Sequence, residues 1–154
     1  ELVVALNFSY FIFKEREQLR RYFSNVFEKL TKDGVMIIDC FGGSQCYEPI
    51  EEETDHDDFI YYWDQKSYDP VTSEAQFSIH FKIKGSKKIE DVFTYDWRLW
   101  TIPELREILA EAGFKKTTVY WEGTTEDGEG DGDFQPTEKG EDCESWIAYI
   151  AAEK

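Results

Sequence analysis

The sequence predicts an α/β fold in which a parallel core sheet carries an antiparallel insert of three strands. Two short apolar runs, Val3-Val4-Ala5-Leu6 and Val35-Met36-Ile37-Ile38-Asp39-Cys40, bracket a stretch of helical periodicity, the pattern of a right-handed crossover unit. Further on, Phe77, Ile79, Phe81 and Ile83 alternate strictly with polar residues, the period of a strand with one wet face. Of the 154 residues, 41% are hydrophobic and 17% aromatic, enough to fill a core despite a formal charge of -16.

Each element follows from its own residues. The first apolar run reads as a strand buried on both faces, ending in Asn7-Phe8-Ser9-Tyr10. Leu19, Tyr22, Phe23, Val26, Phe27 and Leu30 then recur at helical spacing with charged residues between them, and Asp33-Gly34 supplies the stop. The second buried strand closes on Phe41-Gly42-Gly43. The insert, residues 57–100, joins Phe59 to Asp64, the alternating strand, and Ile89 to Trp97, with turn signals at Asp69-Pro70 and Lys84-Gly85-Ser86-Lys87. Its aromatic excess, Tyr61 and Trp97 included, predicts that one face covers a cavity. Thr101-Ile102-Pro103-Glu104 opens a second helix with a capping box, whose stripe of Leu105, Ile108, Leu109 and Ala112 ends at Gly113-Phe114. Thr117 to Trp121 and Trp146 to Ala151 read as two last strands around an acidic loop, Glu122 to Glu144.

Charge and cysteine content narrow the function. With 17 Lys and Arg against 33 Asp and Glu and no segregated basic patch, a phosphate backbone is repelled, so nucleic acid is excluded as a partner. No apolar run reaches the roughly 18 residues needed to cross a bilayer, which predicts no membrane partner. Cys40, Cys46 and Cys143 form neither a disulfide framework nor a Cys/His metal cluster, and reduced thiols fit a cytoplasmic setting. A chain opening on Glu1 and running straight into an apolar strand, without Met, predicts an internal start.

Several segments in order are similar to one known family. Leu6-Asn7-Phe8-Ser9-Tyr10, the helix ending Lys29-Leu30-Thr31-Lys32-Asp33-Gly34 and the strand Val35-Met36-Ile37-Ile38-Asp39 resemble the second half of a class I S-adenosylmethionine-dependent methyltransferase of the small-molecule type. Arg98-Leu99-Trp100-Thr101-Ile102-Pro103-Glu104-Leu105, Ala112-Gly113-Phe114 and the final Trp146-Ile147-Ala148-Tyr149 extend the likeness over essentially the whole chain. The resemblance implies one partial domain, residues 1–154. It would hold the fourth to seventh strands of a Rossmann-like seven-stranded sheet and lack the amino-terminal half that carries the Gly-rich turn. It further implies S-adenosylmethionine as cofactor and a small-molecule acceptor. An exposed edge left by the missing half implies possible self-association.

By the same resemblance, Asn7 and Tyr10 lie near the reacting centre: amino-methylating relatives place Asn in an Asn-Pro-Pro-Tyr motif there, and this chain keeps Asn7 and Tyr10 without the prolines. Asn7 and Phe8 are the candidate cofactor contacts. Asn7, Tyr10, Tyr61, Trp97, Arg98 and Trp100 are the candidate substrate contacts, Arg98 as a guanidinium flanked by indoles; the plainer reading has both indoles packed and Arg98 paired with a carboxylate. His80 on the wet face and His56 in the acidic run 51–58 read as solvated surface. No Ser/His/Asp or Cys/His set points to covalent catalysis, and methyl transfer needs none. A rival class, a non-catalytic acidic binding module, rests on Asp127, Glu129, Asp131, Gly132 and Glu138, which fall near calcium-loop spacing between strands and not helices.

Overall fold

The computed structural model describes residues 1–125 and 130–154. β1 (Leu2–Ala5) leads through a 3-10 turn (Ser9–Ile12) into α1 (Arg16–Lys29), and β2 (Val35–Gly42) returns parallel to β1, with Leu2 opposite Val35 and Ala5 opposite Ile38. A second 3-10 turn (Ser44–Tyr47) precedes β3 (Ile50–Asp55), β4 (Phe59–Asp69), β5 (Glu74–Ile83) and β6 (Ile89–Arg98). α2 (Ile102–Ala112), β7 (Lys116–Thr124), β8 (Gly130–Thr137) and β9 (Trp146–Glu153) follow. Two sheets result, ordered β1-β2-β9-β7-β8 and β3-β4-β5-β6.

The core lies where α1 and α2 cover the first sheet. α1 buries Leu19 and Phe23, and α2 buries Leu105, Ile108, Leu109 and Ala112, the stripe read from the spacing. The capping box forms as read: Thr101 accepts from the Glu104 amide while the Glu104 carboxylate accepts from the Thr101 amide. Gly113 then turns left-handed at φ 116°, against the Phe27 ring. β9 runs antiparallel to both β2 and β7, so the last strand in sequence is the middle strand of the sheet.

Three expectations are corrected. The insert has four strands: β3, Ile-Glu-Glu-Glu-Thr-Asp, pairs antiparallel with β4 although five of its six residues are exposed. An acidic edge strand shows no apolar alternation; its order comes from cross-strand pairing with the aromatic β4. Within the acidic loop, β8 pairs with β7 and carries Asp131 and Gly132, while Glu138 lies just beyond it; Asp127 and Glu129 lie outside the described residues. The polar face of β5 is not wet at its centre. Ser78 and His80 are 1% and 4% exposed, because side chains of β3, β4 and β6 close over them.

Gly42 and Gly43 do not open a ligand loop. A Cβ on Gly42 would overlap the Trp146 ring, and Gly43, at φ 114°, faces the backbone of Glu144 and Ser145. The pair is glycine because the segment entering β9 packs directly on it.

Candidate functional site

Cross-strand pairing selects what the insert presents to the core. Glu52 lies opposite Trp63, Thr54 opposite Tyr61, Trp63 opposite Ile79, and Phe77 opposite Tyr95, so these side chains share one face. That face meets the carboxyl end of β1, where open α/β sheets bind ligands. Between them is a cavity of about 550 Å³. Asn7, Phe8, Phe41, Ser145 and Ile147 line it from the core; Glu52, Thr54, Tyr61, Trp63, Ile79, Tyr95 and Trp97 line it from the insert. Rings knit the two sides: Phe8 lies 4.7 Å from Phe41 and 6.2 Å from Trp97, and Tyr95 lies 4.5 Å from Trp97, between ring centroids. Such pairs contribute about 0.5–1.5 kcal/mol each beyond their buried area. Among the described residues Glu52 is the one charged side chain on the wall.

The segment after β1 forms the floor and is fastened at both ends. Asn7 and Phe8 both have left-handed backbones, at φ 58° and 54°; for a bulky residue this costs roughly 1–2 kcal/mol. Their amides donate to the Asp39 carboxylate, and the Tyr10 hydroxyl donates to the Asp39 carbonyl at 2.6 Å. Burial raises the Asp39 pKa, while the two amide hydrogen bonds pull it back down. At the far end Arg98 Nη1 donates to the Lys14 carbonyl at 2.9 Å and Trp100 Nε1 to the Phe13 carbonyl at 3.1 Å. Lys14 reaches Glu74 at 2.7 Å and Asp96 at 2.6 Å on the insert.

Asn7, Phe8, Tyr61 and Trp97 therefore meet at one cavity, and Tyr10, Arg98 and Trp100 do not. Tyr10 is 1% exposed in the core, and burial lifts its pKa well above the ordinary tyrosine value. Strand alternation turns Arg98 away from Trp97: its guanidinium lies over the Trp100 ring at 3.8 Å and pairs with Glu104 at 3.4 Å. Trp100 lines a separate cavity of about 220 Å³ at the start of α2. Sequence reasoning missed Asp39 and Glu52. A carboxylate closing an otherwise apolar strand was the signal for the first; for the second it was the odd-even pattern that β3 acquires once paired with β4.

On the far face of the insert, Glu51, Asp64 and His80 place ligand-type atoms within 4.8 Å of one another. They form a closed polar network. His80 Nδ1 accepts from the Asp91 amide at 2.8 Å, so Nε2 carries the proton and donates to Asp64 at 3.1 Å, leaving no ring lone pair for an ion. Lys88 neutralises Glu51 at 2.5 Å and lies over the Tyr62 ring at 4.1 Å. His56, exposed, stacks on Phe59.

No family model and no curated sequence matches the chain. Solved structures do. The chain is similar to an S-adenosylmethionine-dependent methyltransferase from Clostridium acetobutylicum, with TM-score 0.64 and 16% identity over 97% of this chain and 56% of that one. The fold is that of the S-adenosylmethionine-dependent methyltransferases. It is similar as well to CalS10, an amino pentose methyltransferase from Micromonospora echinaspora, with TM-score 0.61 and 11% identity over 99% of this chain and 58% of that one. KedS8, a sugar N-methyltransferase from Streptoalloteichus, gives TM-score 0.56 and 15% identity over 99% and 55%. The chain thus spans a little over half the length of the methyltransferases it matches. Within the methyltransferase fold, the cavity lies between the β1 strand end and the inserted sheet.

Proposed function

We propose that the chain forms the acceptor side of an enzyme that moves a methyl group from S-adenosylmethionine to an amine-bearing small molecule, by direct in-line displacement. One observation carries the reading: a cavity at the β1 strand end, walled by aromatic rings and bearing, among the described residues, a single carboxylate, Glu52. Ring faces and a carboxylate attract a cationic nitrogen, and a chain of charge -16 concentrates cations around it. That CalS10 and KedS8 act on an amino pentose and on a sugar nitrogen supports the amine.

Asn7 and Phe8 fit a place beside the donor, since the strand end sets an exposed amide and a half-buried ring on one rim. When bound, the donor supplies a methyl group activated on a sulfonium, whose C–S bond breaks as the amine nitrogen bonds to the carbon. The Asn7 side-chain carbonyl accepts an N–H of the neutral amine and aims its lone pair. Positive charge then develops on that nitrogen, and the aromatic wall with Glu52 favours the charged form over the neutral one, which is stabilisation of the transition state and not only of the substrate. Tight donor binding rests, in this reading, on the part of the methyltransferase fold that this chain does not span.

Calorimetry on the 154-residue chain tests the cavity. Choline should bind at least about tenfold more tightly than its neutral isostere 3,3-dimethylbutan-1-ol, and Glu52→Gln should reduce the preference by roughly threefold to tenfold. Equal affinities would sink the amine reading. Micromolar S-adenosylmethionine binding by this chain alone would overturn the donor placement.

A further inference from the structure

Asn7 and Phe8 occupy consecutive left-handed positions at the mouth of the cavity. Asparagine tolerates that region, since its short amide bonds locally, but phenylalanine meets the full clash of Cβ with the following carbonyl. Backbone held in such a state needs surroundings that over-determine it, and such positions cluster where ligands bind. Here one residue meets both backbone amides, while the Phe8 carbonyl accepts from the Phe11 amide at 2.9 Å. Asn7 N–H donates to Asp39 Oδ2 at 2.7 Å and Phe8 N–H to Asp39 Oδ1 at 2.9 Å. A carboxylate accepts on both oxygens at once, which no amide side chain does. Tyr10 fixes the same residue from the other side through its carbonyl.

We propose that Asp39 is a positioning residue: its carboxylate holds the Asn7-Phe8 turn in the conformation that places the Phe8 ring on the cavity wall and Asn7 at its mouth. The inference rests on the reading that the cavity receives the acceptor. Phe8 is the link. Its ring touches Phe41 of β2 and Trp97 of β6, so a turn released from Asp39 withdraws the ring that joins core to insert. Tyr10 and Cys40 are the titratable neighbours on which Asp39 acts; burial, and after it the Asp39 charge, drives Cys40 up to about 12 and Tyr10 well above its ordinary value, so neither titrates in the carboxylate range.

Two measurements on the 154-residue chain decide it. By amide NMR, the Asn7 and Phe8 protons should shift together along one titration, with a midpoint raised from the ordinary aspartate value, and the transition should vanish in Asp39→Asn. By calorimetry, Asp39→Asn should weaken choline about tenfold or more, the loss expected for a charge-assisted hydrogen bond. Phe8→Gly lowers affinity by removing a ring, but glycine enters the left-handed region freely, so adding Asp39→Asn in that background should cost less than about threefold. Amide protons that do not titrate together, unchanged choline affinity in Asp39→Asn, or an equal loss in the glycine background would each overturn the proposal. If the native chain fails to bind choline, the amine reading of the cavity falls, and the amide titration judges Asp39 independently.

Discussion

Arg98 shows how a side chain with functional credentials serves the frame. Its guanidinium meets a backbone carbonyl, a carboxylate and an indole face, and none of these opens on the large cavity. Arg98→Ala should therefore lower the melting temperature by several degrees, since about 1–2 kcal/mol lost in a domain of this size moves it by roughly 2–8 °C, while choline affinity changes by less than about threefold. Thermal melts with parallel calorimetry check both. Asp39 carries the opposite signature. Burial raises its folded pKa above the unfolded value, so the folded chain holds a proton that the unfolded chain has released between the two. Its contribution to stability falls as pH rises through that window; relative to the non-titrating Asp39→Asn, the native chain should gain stability as pH is lowered through it. Denaturant melts across the acid range measure the sign.

Among elements, β1 is an edge strand that leaves apolar side chains exposed. It pairs with β2 alone, and Leu2 and Val4 are 58% and 52% exposed. A free edge with apolar neighbours is a template for another strand, so the chain should self-associate with rising concentration, and Val4→Lys should shift it toward monomer. Light scattering over a concentration series reads this; a Val4→Lys profile identical to the native one would exclude β1 as the contact. The elements legible in the sequence were those whose signal is local. α2 announced itself through Thr101, Pro103, Glu104 and Gly113, each acting within one turn, and β1, α1 and β2 through apolar spacing. β3 and β8 were not legible, because acidic strands become strands through partners distant in sequence. The site divided the same way. Strand-end position marks Asn7 and Phe8, and aromatic excess Tyr61 and Trp97, as residues that line the cavity, whereas Arg98 follows Trp97 on β6 and so faces the other way, and Trp100 lies beyond the end of that strand. Asp39 and Glu52 needed the tertiary contact before their roles existed.

At the scale of the whole molecule, the two sheets are joined by aromatic rings and by the strap from Asn7 to Lys14, whose ends are tied to β2 and to β5 and β6. The cavity is therefore a seam between two bodies of structure, and its shape depends on both being present. The sheet order adds a consequence for biosynthesis. β9 separates β2 from β7, and through residue 145 the nascent polypeptide holds both flanking strands with nothing between them. β2, already paired with β1, and β7, already paired with β8, must each wait with one hydrogen-bonding edge open until β9 arrives. At about 5–20 residues per second, the core stays open to chaperones and proteases for most of its synthesis, and then closes in a single late event. Chains truncated at Ser145 and carried clear of the exit tunnel by a linker should be cut rapidly by protease within β2 and β7, and chains extending through Lys154 and equally clear of it should resist. Protection already complete at Ser145 would mean that β2 and β7 find another way to satisfy their edges.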